Sequence, residues 1–358
     1  MKLTALLLLA GAAVSGAQPS LVWENEMASK GGWMRRAHSQ KVGRLLPKTK
    51  GEERERGLQT TIPEAPPSEL TVAVASFEDL KEVIESTTVA TTVEVEQDIV
   101  FPTPVVIPAD VTVWIVGSGS SAKKMDAAST SQHFIVYGKA WLENLWFVNG
   151  FGSNGGSIVV KDGGSLSARN SVFMNNTAVD MNSTAFDMNS TATAPSFAPT
   201  QSSSLPGGPG SQPVEEARPY PGAGDGGAIA AFNSSFIAIE SCEFAANYAS
   251  RMGGAIVAED SSSLSVSDSA FSMNECQVAE IEGIHFGGGA IAIIESSILD
   301  VTNSSFTSNH AVGSGGAIYG SGNLRMSILD SFFDGNTLDP GALGEWEFIP
   351  HLGGAVAA

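Results

Sequence analysis

Asp268, Asn303 and Asp330 fall at the same offset in three successive copies of a repeated segment. Two carboxylates around one sugar bond are the minimum equipment of a glycoside hydrolase, one protonated as acid and one ionised as base. If the copies stack at strand spacing, Asp268 and Asp330 lie about 9–10 Å apart, the upper edge of the inverting range. They are the nearest catalytic candidates in the chain. A hydrated Asn/Asp ladder at a bend accounts for the same residues, because every copy carries a polar residue there. His285, His310 and His351 fall in connecting segments without the tight spacing of a metal site, so no metal is expected. No P-loop, dinucleotide fingerprint, zinc motif or nucleophile elbow occurs. Five N-x-[ST] sequons begin at Asn175, Asn182, Asn189, Asn233 and Asn303. Asn182, Asn189, Asn233 and Asn303 are the candidate glycan acceptors, and Asn175 is disfavoured by its neighbour Asn176. A glycan on Asn303 would block chemistry at the carboxylate column.

The segment that must position these residues recurs as 155–176, 226–247, 253–274, 288–309 and 315–336, with a sixth copy opening at 353–358. Each copy starts Gly-Gly-[AS]-[IV]. In all five complete copies a Phe (Phe173, Phe244, Phe271, Phe306, Phe333) follows the first Gly by 18 residues. An Asn (Asn176, Asn247, Asn274, Asn309, Asn336) follows that Phe by three. Apolar residues recur two apart, as at Leu264 and Val266, which indicates short strands. Ser171, Cys242, Ser269, Ser304 and Ser331 are small and share the side of the Phe; Asp268 and its equivalents point outward. One copy cannot bury its apolar face alone, whereas stacked copies bury a continuous core. The fold class expected is all-β, a solenoid of parallel strands.

The paired GGA[IV] and FxxN signatures resemble the repeats of the chlamydial polymorphic membrane proteins. Through them the chain is similar to the right-handed parallel β-helix, or pectin lyase-like, superfamily. The likeness covers 155–176 and 226–358 by motif and extends more faintly to about residue 70. It implies a right-handed β-helix and says almost nothing about chemistry. The bacterial proteins end in a membrane barrel, and nothing in this sequence supplies one. Superfamily members include polysaccharide lyases and glycoside hydrolases. A lyase needs an Arg or Lys base beside cation-holding carboxylates. Arg251 and Arg325 stand at unrelated offsets, on different faces, so no basic catalytic patch is expected.

Residues 1–17 have Lys2, an apolar run and Ser15-Gly16-Ala17, the pattern of a secretory signal peptide. The run is too short to span a bilayer, and no other stretch qualifies as a transmembrane segment. Residues 18–69 are basic and aperiodic, a flexible linker or pro-segment. Residues 70–176 hold the N-terminal cap and first rungs: Ser76 caps a helix-like stretch, and 142–150 reads as a degenerate half-repeat. Residues 177–224, rich in Ser, Thr, Pro and Gly with tandem VDMNSTA and FDMNSTA, read as a disordered insertion. Residues 225–358 are β-helix repeats ending in an incomplete rung. That uncapped rung invites end-to-end self-association. Cys242 takes the small inward position and Cys276 falls in a loop, so no disulfide is expected.

The distance from motif Asn to the next Gly-Gly is 50, 6, 14, 6 and 17 residues, while the rung length never changes. Length variation is thus confined to one corner. The loops there, 177–225, 275–287 and 337–352, form a candidate binding edge carrying Glu280, Glu282, His285, Trp346, Glu347 and His351. Net charge is −19 overall, and ten of the 19 Lys and Arg precede residue 57. The remainder, with 9 basic against 33 acidic residues, repels nucleic acid. No cofactor is required; calcium could bridge the acidic surface to an acidic polysaccharide. The function expected is a secreted or cell-surface protein, adhesin-like or matrix- or carbohydrate-binding, with no evident catalytic site. Its partners would be an extracellular polysaccharide or cell-surface protein. The alternative is a carbohydrate-active enzyme, lyase or hydrolase. A membrane-anchored autotransporter would need a barrel that the sequence does not supply.

Overall fold

The computed structural model describes residues 21–24, 69–180, 223–277, 280–281, 284–285, 287–322, 324–339 and 355–357. Every complete rung contributes one strand to each of four sheets. In the rung opened by Gly226 these are Ile229–Ala231, Phe236–Glu240, Glu243–Ala245 and Tyr248–Ala249. Each pairs in parallel with its counterpart one rung away, Phe244 opposite Phe271 and Ile229 opposite Ile256. The result is stacked parallel sheets wound as a β-helix solenoid. The strand Glu243–Ala245 belongs to an eight-stranded sheet, Tyr248–Ala249 to one of six, Ile229–Ala231 to one of eight, and Phe236–Glu240 to one of ten.

Residues that alternate along a strand alternate between core and outside. Ile237, Ile239, Phe244 and Ile229 are therefore fully buried in one continuous core, against which Ile328 and Phe333 of the last complete rung pack half-buried. The Phe column forms a stack from Phe147 to Phe333, with ring centroids 4.7–5.0 Å apart and planes within 14°. The Asn column is equally internal. Asn247, Asn274 and Asn309 each accept from the main-chain N–H and Nδ2 of the previous Asn, and donate to a Phe carbonyl and to the next Asn. Ser269 and Ser304 build a second column, each accepting an N–H from the rung before and donating to a carbonyl two residues back.

The bends explain the polar consensus. Asn170, Ser241, Asp268, Asn303 and Asp330 all have φ between +47° and +53°. Asn, Asp and Gly tolerate this left-handed region best. The Gly-Gly pair is required twice over. Gly253 has φ +60°, and a Cβ on Gly254 would run into Gly289 O and the Glu275 backbone.

Two features differ from the sequence reading. The segment after each motif Asn is a short strand, not the start of a loop: Thr177–Ala178, Glu275–Cys276 and Thr337–Asp339 all lie in the six-stranded sheet. Two or three residues are too few to show a period, so sequence pattern could not reveal them. Within the stretch read as a linker, Leu21–Glu24 forms a strand antiparallel to Arg325–Leu329, on the edge of the ten-stranded sheet. The helix Phe77–Ser86 has Ser76 as its N-cap, whose side chain accepts from Asp79 N–H at 3.2 Å. It buries Phe77, Leu80 and Ile84, with Phe77 edge-on to Phe101. Among the described residues no helix is long and apolar enough to cross a membrane.

Candidate functional site

All variable connections leave the coil at the corner between the six-stranded sheet and the sheet of Ile229–Ala231. In the rungs without a long loop the chain turns this corner in a few residues, as from Tyr248–Ala249 to Gly253. Elsewhere it leaves after Asp180, Gln277 and Asp339 and returns at Ala223, Gly287 and Ala355. Part of the middle excursion is an antiparallel hairpin, Glu280–Ile281 with Ile284–His285, in which Glu280 is opposite His285. Glu282, Trp346, Glu347, His351, Asn182 and Asn189 lie outside the described residues.

The strongest electrostatics lie beneath this corner. Arg251 Nε donates to Asp225 Oδ1 at 2.7 Å and its Nη2 donates to Oδ2, with both residues buried. Burial opposes charge on Arg251, but the Asp225 carboxylate, with Glu259 and Asp180 behind it, outweighs burial and holds the guanidinium above its ordinary value. Burial pushes Asp225 upward against the pull of Arg251. Burial, then the charge of Asp225, pushes Glu259 up to about 8. The backbone draws the same groups together. Asp180 N–H donates to Ser250 Oγ at 3.0 Å, and Arg251 N–H to Gly224 O at 2.9 Å. Both ends of the excursion 181–222 are thus tied to Ser250-Arg251. A buried guanidinium occupied by a carboxylate anchors a corner; it is closed to an incoming substrate.

The carboxylate column sits elsewhere, on an exposed bend. Asp268, Asn303 and Asp330 follow the in-register strands Ser263–Ser267, Ile298–Thr302 and Arg325–Leu329. Asn303 Nδ2 donates to Asp268 Oδ1 at 2.5 Å, so the amide between the acids is already engaged with one of them. Asn233 is likewise at a bend, φ +56°, donating to Asp162 Oδ1 at 2.7 Å.

His310 is not in a loop. It belongs to the strand His310–Val312, and its Nδ1 lies 3.0 Å from Thr337 Oγ1. Among the described residues no cluster of three His, Cys, Asp or Glu side chains could hold a metal ion. Cys276 is also not in a loop: it is buried in Glu275–Cys276 with Sγ 2.9 Å from Arg251 O. Cys242 is buried in the serine column, Sγ 3.2 Å from Glu240 O, and neither cysteine is in a disulfide.

Sequence reasoning set Arg251 and Arg325 on different faces and passed over Asp225 and Glu259. The available signal was charge beside the Gly-Gly corner in a region with only two cations, Arg251 and Arg325. It also missed Trp114 and Trp141, in register on the outside of the ten-stranded sheet with ring centroids 5.9 Å apart. No protein-family profile matches the chain. No curated protein matches it either.

Proposed function

We propose that this chain is a secreted or cell-surface binding protein, adhesin-like, whose ligand is an extracellular polysaccharide or a cell-surface protein. The coil is a right-handed β-helix of the pectin lyase-like kind, its first turns closed by the helix Phe77–Ser86. One observation carries the reading. An invariant frame holds loops of very different length at a single corner, between Asp180 and Ala223, Gln277 and Gly287, and Asp339 and Ala355. Rigid scaffolds with variation confined to one edge present binding surfaces there. The buried Arg251–Asp225 pair and the carboxamide ladder support rigidity below that edge. The apolar leader supports export.

The test is retention of the full chain on immobilised polysaccharides, with and without calcium, alongside assays for new reducing ends and unsaturated sugars. The reading expects retention without product, lost when 340–354 is shortened to match the turn after His310–Val312. A second reading, a carbohydrate-active enzyme, is favoured by the in-register exposed acids of the bend column. Product that disappears in Asp268→Asn and Asp330→Asn would replace binding with hydrolysis.

A further inference from the structure

The core of the coil is built from Phe, Ile, Leu and Val, and among the described residues no tryptophan is buried. Trp114, Trp141 and Trp146 stand instead on the outside of two neighbouring rungs. An indole combines a broad apolar face with one polar N–H, and such residues are enriched where a surface meets a partner. Trp146 is single on its face, in register with Lys124 and Val172. Trp114 and Trp141 are a pair on the ten-stranded sheet, with ring centroids 5.9 Å apart and planes inclined at 45°.

The register around the pair defines a track. Parallel pairing puts Thr71, Thr92, Trp114 and Trp141 in one line across four strands, along the axis of the coil. Thr71 is exposed, and Thr92 and both tryptophans are half-buried. The line closes at Ser167 and Ala238, which are buried. Three strand spacings, about 14 Å, separate Thr71 from Trp141. One spacing is close to the length of a sugar ring in an extended polysaccharide, so the open track has the length of a tetrasaccharide. A sugar ring offers an apolar C–H face, which stacks on an indole, and a rim of hydroxyls. The inclined planes suit a chain that twists from one sugar to the next. Charge narrows the class. Lys139, Trp141 and Glu143 alternate on the outside of one strand, so one cation and one anion flank the ring. Exposed Lys139 repels a basic peptide, and Glu143, in a chain of net charge −19, repels a polyanion. An uncharged sugar meets neither repulsion, and its hydroxyls can accept from Lys139 and donate to Glu143.

We propose that Trp114 and Trp141 form a subsite for an uncharged polysaccharide, which lies along the coil axis with consecutive sugars stacked on the two indoles. The subsite is separate from the loop edge, because the Ile229–Ala231 sheet lies between them in the course of each rung. It adds a ligand class to the binding reading without resting on the loops. A track this short binds weakly, so soluble oligosaccharides read it better than retention on a polymer.

Saturation-transfer NMR on the full chain tests it. The probes are cellotetraose, xylotetraose and mannotetraose as uncharged chains, tetragalacturonate as an anion and tetralysine as a cation. The expected result is transfer to at least one uncharged tetrasaccharide, strongest at the C–H protons of the ring faces. Its Kd, from titration, should rise roughly five-fold or more in Trp114→Ala and in Trp141→Ala. Trp141→Phe keeps an aromatic contact between the strands and should weaken binding less, and circular dichroism checks strand content in each variant. Trp146→Ala, on the other face, and the chain with 340–354 shortened should bind the tetrasaccharide as the parent does. A loss of polymer retention in the shortened chain alone therefore concerns the loop edge and not this subsite. Transfer to tetragalacturonate or tetralysine but to no uncharged chain would overturn the ligand class. No transfer to any probe, unchanged binding in both alanine variants, or an equal loss in Trp146→Ala would overturn the subsite.

Discussion

Replacing Asn274 by Ala probes the carboxamide ladder where it is most enclosed. Asn274 Oδ1 accepts from Asn247 N–H at 3.1 Å and from Asn247 Nδ2 at 2.9 Å. Its Nδ2 donates to Phe244 O at 3.0 Å and Asn309 Oδ1 at 2.9 Å. The side chain is fully buried, so no water stands in for these bonds after truncation. Four net hydrogen bonds at about 1 kcal/mol each, plus desolvation of a stranded Asn247 N–H, give a loss of about 4–6 kcal/mol. Asn336 supplies the control. It accepts from Asn309 N–H and Nδ2 and donates to Phe306 O, but is half-buried at the last described rung. Water can replace what Asn336→Ala removes, and the expected loss is about 1–2 kcal/mol. Urea unfolding followed by circular dichroism measures both. The urea slope of each variant checks that the same span of rungs unfolds, because solenoids can melt in parts. Equal losses at the two sites, or a loss below about 1 kcal/mol at Asn274, would refute the claim that ladder bonds hold the rungs together.

Four further outcomes follow from burial and backbone geometry. His133 is fully buried, its Nε2 2.8 Å from Met125 O and its Nδ1 3.0 Å from Ser157 Oγ, and burial lowers it to about 4. Its stabilisation is complete above pH 6.5 and falls away by about 3 kcal/mol as pH drops to 4; His133→Phe should flatten that slope in a melting-temperature series, and an unchanged slope would contradict it. Glu259 has the opposite sign: with its folded value raised to about 8, stability is full below pH 4.5 and declines as pH rises to 8. Glu259→Gln should therefore stabilise by about 2–4 kcal/mol at pH 9 and do nothing near pH 4, a difference that parallel urea titrations would reveal. Met273 is exposed with φ +54° in the column that holds Gly335 and Asn175, so Met273→Asn should add about 0.5–1 kcal/mol; a destabilised variant would count against left-handed strain there. Burial pushes the Cys242 thiol up to about 12, and Cys276 is fully buried, so Ellman's reagent should titrate neither thiol in the native protein and both in denaturant. Rapid native reaction of Cys276 would show that the corner opens, and of Cys242 that the serine column does.

Much of the architecture was legible because the repeat is written in both size and chemistry. Phe at one offset and Asn three later set the register, and the structure stacks those same rings and carboxamides. The helix announced itself by Ser76 and an apolar stripe. The two-residue strands Thr177–Ala178 and Tyr248–Ala249 did not, because so short a segment carries no alternation. His310 and Cys276 looked like loop residues for the same reason and proved to be in strands. The sequence already suggested an outward Asn/Asp ladder at a bend, whereas only the fold shows Asn303 bonded to Asp268.

The order of the rungs, their constant length and the corner that accepts insertions are properties of the sequence itself. Each copy repeats the same inward residues, and a period-two pattern states which side of a strand needs burial. What the tertiary structure alone decided is which distant groups share a buried environment. Asp225 and Arg251 are 26 residues apart, and Glu259 joins them from the next strand. No local pattern encodes that meeting, since it arises from stacking rungs of fixed length. The outer row Val159, Ala230, Val257 and Ala292 makes the same point. In sequence it reads as small residues between isoleucines. Only in the fold does it become a second apolar surface, buried on the side where a solenoid sheet ordinarily meets water.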